Sequence, residues 1–209
     1  MNYFDYFQVI TLIVFLMVFF GRTIWLRRKG TKIFVIGSGK KGFAAFLEKS
    51  FLVFSPIWLI EIGIHSLHLN IQFLPLVLFK QIFKNQIIQF AGATVIFVGL
   101  IVFCLALISF NSSWRVGIDT VSPGDLITTG VFSVTRNPIF LSMDFYFLGT
   151  FLIYSNLFFL MCFVCIALGF QFQIRQEETF LIERYGDKYR KYMAQVNRYR
   201  RLSRKSKLP

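Results

Sequence analysis

Charge is scarce in this chain. Of 209 residues only 16% are Asp, Glu, Lys or Arg, where a soluble domain carries about 25%. Acid is the scarcer sign, 10 residues against 23 basic ones. Metal-binding chemistry is thinly supplied too. There are two histidines, His65 and His68, with Glu61 one turn earlier, and no further ligand converges on them. A zinc site wants three or four ligands, so the pair is better read as an interfacial one. Three cysteines, Cys104, Cys162 and Cys165, all lie in apolar runs. Cys162 and Cys165 have redox-pair spacing, but Met161, Phe163, Val164 and Ile166 surround them. Buried helix cysteines of that kind behave as small hydrophobes. No internal repeat is visible.

What the chain has in excess is apolar surface. It is 56% hydrophobic, with 28 Phe and a mean hydropathy of +0.61. That composition predicts an all-α integral membrane protein, residues 1–209 forming one polytopic unit. The net charge of +13 sits in two segments beside apolar runs. Membrane topology and contact with anionic membrane lipids account for it, and nucleic acid is not needed as a partner.

Five spans are predicted, at 6–26, 51–67, 88–110, 139–154 and 157–172, each long enough for about 30 Å of hydrocarbon or for a thin crossing. The first has its basic residues after it and lacks a small-residue cleavage site, so it reads as a retained helix rather than a signal peptide. Residues 70–84, broken by Pro75, are too short to span and suit the interface. Lys and Arg number eight in 22–49 and eleven from Arg175 onward, but only two between spans two and three. The positive-inside rule then puts the N-terminus outside and 124–138 and the C-terminus in the cytoplasm. Gly92 and Gly99 offer close helix contact. Glu61, an acid within a span, is expected to face the bundle interior.

A glycine-rich run, Gly37, Gly39 and Gly42 after Ile33 to Ile36, imitates a dinucleotide-binding turn. That turn needs a full βαβ unit, and none fits between two spans. The run reads as a basic loop.

Two polar clusters remain. The first, 124–140, ends in Arg136, Asn137 and Pro138, a helix-start signal with Asn137 as N-cap and Pro138 at the first position. The start of the fourth span, with Arg136 beside it, suits an anion. Gly130, Thr128, Thr129 and Ser133 let backbone approach a ligand. The second cluster, 173–178, contains Gln173, Arg175, Glu177 and Glu178 and returns to the same side of the membrane through a helical hairpin. Adjacent helix residues are about 100° apart, so Glu177 and Glu178 cannot both face one ligand. A basic amphipathic cytosolic helix follows, with Leu181, Tyr185, Tyr189, Tyr192 and Val196 as its apolar stripe.

This order resembles the isoprenylcysteine carboxyl methyltransferase family and the related phospholipid methyltransferases. It runs from Leu126 through Gly130, Phe132 and Arg136-Asn137-Pro138, across a hairpin to Glu177-Glu178, and on to Tyr185, Gly186, Tyr189 and Tyr192. The resemblance covers 114–199 and points to a bacterial-type member. It implies an S-adenosyl-L-methionine pocket without a Rossmann domain. Carried over by position, cofactor contacts fall on Leu126, Ile127, Thr128, Gly130, Phe132, Arg136, Asn137, Pro138, Phe140 and Glu177. Gln173 stands where the family has the arginine that holds a substrate carboxylate, with Arg175 near, so these two are the implied catalytic positions. Asn137 replaces a family His, Phe132 and Phe140 replace Tyr, and Ser142 replaces Gly.

The implied reaction is methyl transfer to a lipophilic or lipidated acceptor, with a carboxyl such as a prenylcysteine-like C-terminus foremost. In-line displacement at a sulfonium needs mainly positioning, and a carboxylate needs no base, whereas an amine does. The alternatives are a phospholipid N-methyltransferase and a non-catalytic membrane protein for transport or assembly. A nicotinamide-dependent membrane reductase would need a second phosphate site, which the sequence does not offer.

Overall fold

The computed structural model describes residues 1–30, 43–111 and 125–199. The glycine-rich run at 37–42 and the start of the first polar cluster at 124 lie outside them. The architecture is all-helical: α1 Tyr3–Arg28, α2 Phe43–Ser66, α3 Gln86–Phe110, α4 Pro138–Tyr154, α5 Leu157–Tyr185 and α6 Asp187–Gln195. No strand occurs among the described residues. Among the described residues three helices, α1, α3 and α5, are long and apolar enough to cross a membrane, and α4 is a shorter apolar helix of 17 residues.

Helix α1 begins at a capping box in which Asn2 accepts from the Phe4 and Asp5 amides and Asp5 accepts from the Asn2 amide. Such a box satisfies two orphan donors reciprocally. Apolar faces alone do not fix helix rotation in lipid, where the surrounding chains are as greasy as Leu. Polar contacts supply that information. Gln8 Nε2 donates to Thr150 Oγ1 at 3.1 Å and approaches Tyr146 Oη at 3.5 Å, and Thr11 Oγ1 lies 3.3 Å from the same hydroxyl. Gln8 and Thr150 are fully buried, so this set ties α1 to α4 in one rotation. Arg22 donates to the Leu107 and Asn111 carbonyls, holding α1 to the last turn of α3. Glu61 is buried, facing inward as expected. The two histidines diverge. His68 bonds Asp5 at 2.8 Å, whereas His65 takes the Glu61 carbonyl at 2.9 Å and lies among Phe79, Tyr154 and Phe159.

Helices α3 and α4 form the tightest pair. A Cβ on Gly92 would stand 2.8 Å from the Gly149 carbonyl oxygen, and one on Gly149 would stand 2.6 Å from that of Gly92. Backbones therefore touch where the sequence places Gly92 and Gly149 opposite each other. Gly99 makes the same approach to Ser142 and Phe145.

Two boundaries differ from the sequence reading. The fifth span and the polar cluster after it are one continuous helix, α5, which runs through Glu177 and Glu178 to Tyr185. The tail stripe is not one helix. Gly186, at φ 54, breaks it between Tyr185 and Tyr189. Residues 70–84 form a short 3₁₀ turn at Leu76–Phe79 and then pair with the α4–α5 turn, the Ile82 amide donating to the Ser155 carbonyl at 2.7 Å.

Replacing Gly149 by Ala is expected to destabilise the fold by about 1–3 kcal/mol, because both neighbouring contacts are backbone or packed Ile96. Thermal unfolding in detergent measures it, and an unchanged midpoint contradicts the close packing.

Candidate functional site

Helix α5 has 29 residues and its hairpin partner α4 has 17. Starting from a shared turn, α5 overshoots the first residue of α4 by twelve residues, about 18 Å at 1.5 Å per residue. That overshoot carries the second polar cluster past the hairpin to the level of the loop before α4. Ile166, Phe170, Ile174 and Glu178 are the buried stripe of α5 at spacing four. The stripe that packs the bundle thus ends in an acid.

Glu178 is 3% exposed. Its Oε1 takes Arg136 Nη2 at 2.7 Å, and its Oε2 takes the guanidinium of Arg198 through both Nε and Nη2. A carboxylate this buried is tolerable only when charge and hydrogen bonds both compensate it. Bonding to Glu178 raises the value of the Arg198 guanidinium still further. Arg136 also donates Nη1 to the Met193 carbonyl at 3.0 Å, and its backbone amide donates to the Asn197 carbonyl at 3.1 Å. The Thr135 hydroxyl donates to the Arg198 carbonyl. Residues 196–199 therefore strap the loop before α4 onto the end of α5.

Tyrosines close the rest. Tyr189, Tyr192 and Val196 form a core with Leu126, Leu181, Ile182, Tyr185 and Met193 against them. The apolar stripe is thus turned inward on the loop, while Lys188, Arg190 and Lys191 are exposed. Tyr192 Oη donates to the Phe132 carbonyl at 2.6 Å. Burial pushes the Tyr192 hydroxyl up to about 12 and raises those of Tyr189 and Tyr199.

The expected residues separate into groups. Arg136, Asn137 and Pro138 lie at the head of α4, Asn137 and Pro138 buried. Leu126 joins the tyrosine core, with Ile127 and Thr128 half-buried beside it. Gly130, at φ 63, sits where a Cβ would strike the Ser109 hydroxyl. Phe132 is edge-on to Phe110 at 4.7 Å and Phe140 lies 5.0 Å from Phe170. Glu177 is half-buried, one residue around the helix from the pair that Glu178 makes with Arg136. Gln173 shares the Glu177 side of α5, and Arg175 is exposed on the opposite flank, about 200° from Gln173.

Asn137 occupies the N-cap position, but its side chain makes no cap hydrogen bond. Its φ of −130° and ψ of 57° turn it away from the helix start, and its Nδ2 is buried without a partner among the described residues. Arg136 Nε is in the same state. Two buried donors and the unpaired first amides of α4 are thus left at one place. Sequence reasoning missed Arg198 and Tyr199, which look like ordinary members of a cationic tail. It also missed Asp144, whose Oδ2 accepts from Tyr199 Oη at 3.0 Å. An acid in the middle of an apolar run was the available signal.

Residues 87–188 match the family model for phospholipid methyltransferases. That stretch, just under half of the chain, is similar to the phospholipid methyltransferase family. The family includes the isoprenylcysteine carboxyl methyltransferases that the sequence resembles, and the match supports a membrane methyltransferase. A search of curated proteins finds no match. The matched stretch spans α3, α4, α5 and the start of α6, so the Arg136–Glu178 pair lies inside it and the strap at 196–199 outside.

Removing the Glu178 carboxylate, as in Glu178→Ala, is expected to cost about 3 kcal/mol, since it strands Arg136. Arg198→Ala costs about 1 kcal/mol, its side chain being 35% exposed. Chemical unfolding measures both. The three tyrosines have folded values raised above the unfolded value of about 10, so docking of α6 and the strap is at full strength below that pH. It weakens as pH rises toward the Tyr192 value of about 12. Limited proteolysis of the C-terminal segment against pH reads this, and docking unchanged across that window contradicts it.

Proposed function

We propose that the protein is an S-adenosyl-L-methionine-dependent methyltransferase acting on a lipophilic acceptor at the membrane surface. The observation that carries the reading is the cluster of unmatched donors at the head of α4, inside the stretch that matches the phospholipid methyltransferase family model. Arg136 Nε, Asn137 Nδ2 and the first amides of α4 fit the carboxylate of the cofactor's amino-acid end. Glu177, on the adjoining face of α5, fits its ammonium or ribose hydroxyls. Leu126, Ile127, Thr128 and Gly130 line the approach, and Phe132 and Phe140 close the apolar sides.

Bound S-adenosylmethionine supplies an electrophilic methyl group on a sulfonium. The protein's own residues position it, exclude water and hold the acceptor in line. Arg136 is fixed on three sides before any ligand arrives, by Glu178, the Met193 carbonyl and the Asn197 carbonyl. The site is thus preorganised. Five spans, with the N-terminus outside and this site facing the cytoplasm, fit the charge distribution. A prenylcysteine-like carboxyl is the acceptor that the resemblance implies, and of the two positions it singles out, Gln173 shares the Glu177 side of α5 while Arg175 points to the other flank. An amine is the second reading, favoured by Asp144.

Purified protein in detergent is expected to bind S-adenosylmethionine saturably. Arg136→Ala is expected to abolish binding, and Glu177→Ala to weaken it about tenfold, the loss of one charged hydrogen bond. Calorimetry reads both, and a wild-type protein without saturable binding contradicts the assignment.

A further inference from the structure

The end of α1 gathers positive charge that nothing in the chain balances. Arg22, Trp25 and Lys29 recur at spacings of three and four, so they share one side of the helix. No Asp or Glu occurs between Asp5 and Glu48. Lys29 Nζ lies 3.8 Å and Arg22 Cζ 4.6 Å from the centroid of the Trp25 ring. Two like charges are thus crowded on one indole, and neither forms an ion pair among the described residues. Arg22 spends only Nη2 on the Leu107 and Asn111 carbonyls. Its Nε is buried without a partner, and its Nη1 makes no hydrogen bond among the described residues. Carbonyls at a helix end orient a guanidinium but leave its formal charge uncompensated.

The surroundings name the missing anion. Trp25 is exposed, and so are Met17, Phe20 and Ile24, which lead up to it along α1. That helix is long and apolar enough to cross a membrane, so its exposed face meets acyl chains. Gly21, one turn before Trp25, leaves open space on the same face. Trp at the end of a span sits at headgroup level, and long cationic side chains reach the same level. Arg22 lies about 10 Å deeper along the axis than Lys29, so the pair brackets the depth at which phospholipid phosphates lie. A phosphate oxygen accepts strongly from guanidinium and ammonium donors together. A free phosphate ion would gain nothing from Met17, Phe20 and Ile24. A zwitterionic headgroup brings its own cation, which the exposed Arg27 and Arg28 repel. A headgroup with net negative charge is attracted by all four.

We infer that Arg22, Trp25 and Lys29 form a binding site for the phosphate of a net-anionic phospholipid, whose acyl chains lie along Met17, Phe20 and Ile24. The site is on α1, outside the stretch matched to the family, and it does not depend on the methyltransferase reading. The phosphate accepts from Arg22 Nη1 and Lys29 Nζ and separates the two charges. Trp25 collects both cations before the lipid arrives, which lowers the cost of ordering two flexible side chains on binding. Arg22 is already fixed by the end of α3, so the site is built on two helices rather than on a loose basic tail.

The test uses the full-length protein in nonionic micelles at about 0.15 M salt, with dioleoylphosphatidylglycerol, dioleoylphosphatidylcholine and inorganic phosphate as probes. Native mass spectrometry counts the lipid retained. Phosphatidylglycerol is expected to bind saturably, one per chain, and about tenfold or more tighter than phosphatidylcholine. Lys29→Gln is expected to weaken it about fivefold, and Trp25→Leu about threefold by letting the two cations disperse. Arg22→Gln is expected to weaken it at least as much as Lys29→Gln. Because Arg22 also ties α1 to α3, the Lys29 and Trp25 variants decide the matter if that one does not fold. Lys188→Gln combined with Lys191→Gln removes two exposed cations from α6 and is expected to leave lipid binding unchanged. Equal retention of the two lipids by wild type overturns the inference. So does a loss on the α6 variant as large as that on Lys29→Gln, which marks diffuse attraction rather than a site. Complete displacement of the lipid by millimolar inorganic phosphate overturns it as well, since the site then takes a free anion.

Discussion

The carboxylate of Glu178 holds three separate pieces of chain at one point. Arg136 comes from the loop before α4, Glu178 from the overshoot of α5 and Arg198 from the strap after α6. Each piece alone is a poor structural element. Among its described residues the loop has no regular structure beyond the Gly130–Ser133 turn, the overshoot is polar, and the strap follows a nine-residue helix. A buried anion between two guanidiniums ties them together, because removing the Glu178 carboxylate leaves the charge of the mostly buried Arg136 uncompensated. The tyrosine core then covers the knot from the far side.

The helical frame serves that meeting. The glycine contact of α3 and α4 fixes where α4 starts, and the turn at Ser155 and Asn156 fixes where α5 starts. The residue numbers of the two helices then decide how far Glu178 projects. Gln8, Thr11, Tyr146 and Thr150 lock α1 onto the same α4, so four helices share one rotational reference. The stretch that matches the family model covers α3, α4 and α5 and two of the knot's three residues, Arg136 and Glu178, and the strap that supplies Arg198 and Tyr199 lies beyond it.

Much of this was legible in the sequence. The helices around 88–110 and 139–154 follow from apolar length, and the close contact follows from Gly92 and Gly99. The resemblance picked out Arg136 and the Glu177-Glu178 pair. It could not say which glutamate would be buried, because that depends on the phase of α5. Phase became readable only with Ile166, Phe170 and Ile174 packed on the bundle. The break at Gly186 was missed because Tyr185, Tyr189 and Tyr192 keep helical spacing across it. A glycine at positive φ interrupts the helix while the stripe still converges on one core. Asn137 was expected to cap α4, as its residue type favours, and tertiary contacts at Thr135 and Arg136 turned it aside. Arg198 was invisible because nothing local distinguishes it from the other cations of the tail.

Hydrogen exchange of the purified protein with and without S-adenosylmethionine tests most directly whether the two polar segments form one cofactor site. The expected result is simultaneous protection of 126–140 and 173–199 on adding the cofactor, with α1 unchanged. Protection confined to the glycine-rich run at 37–42, or none in either polar segment, contradicts the account.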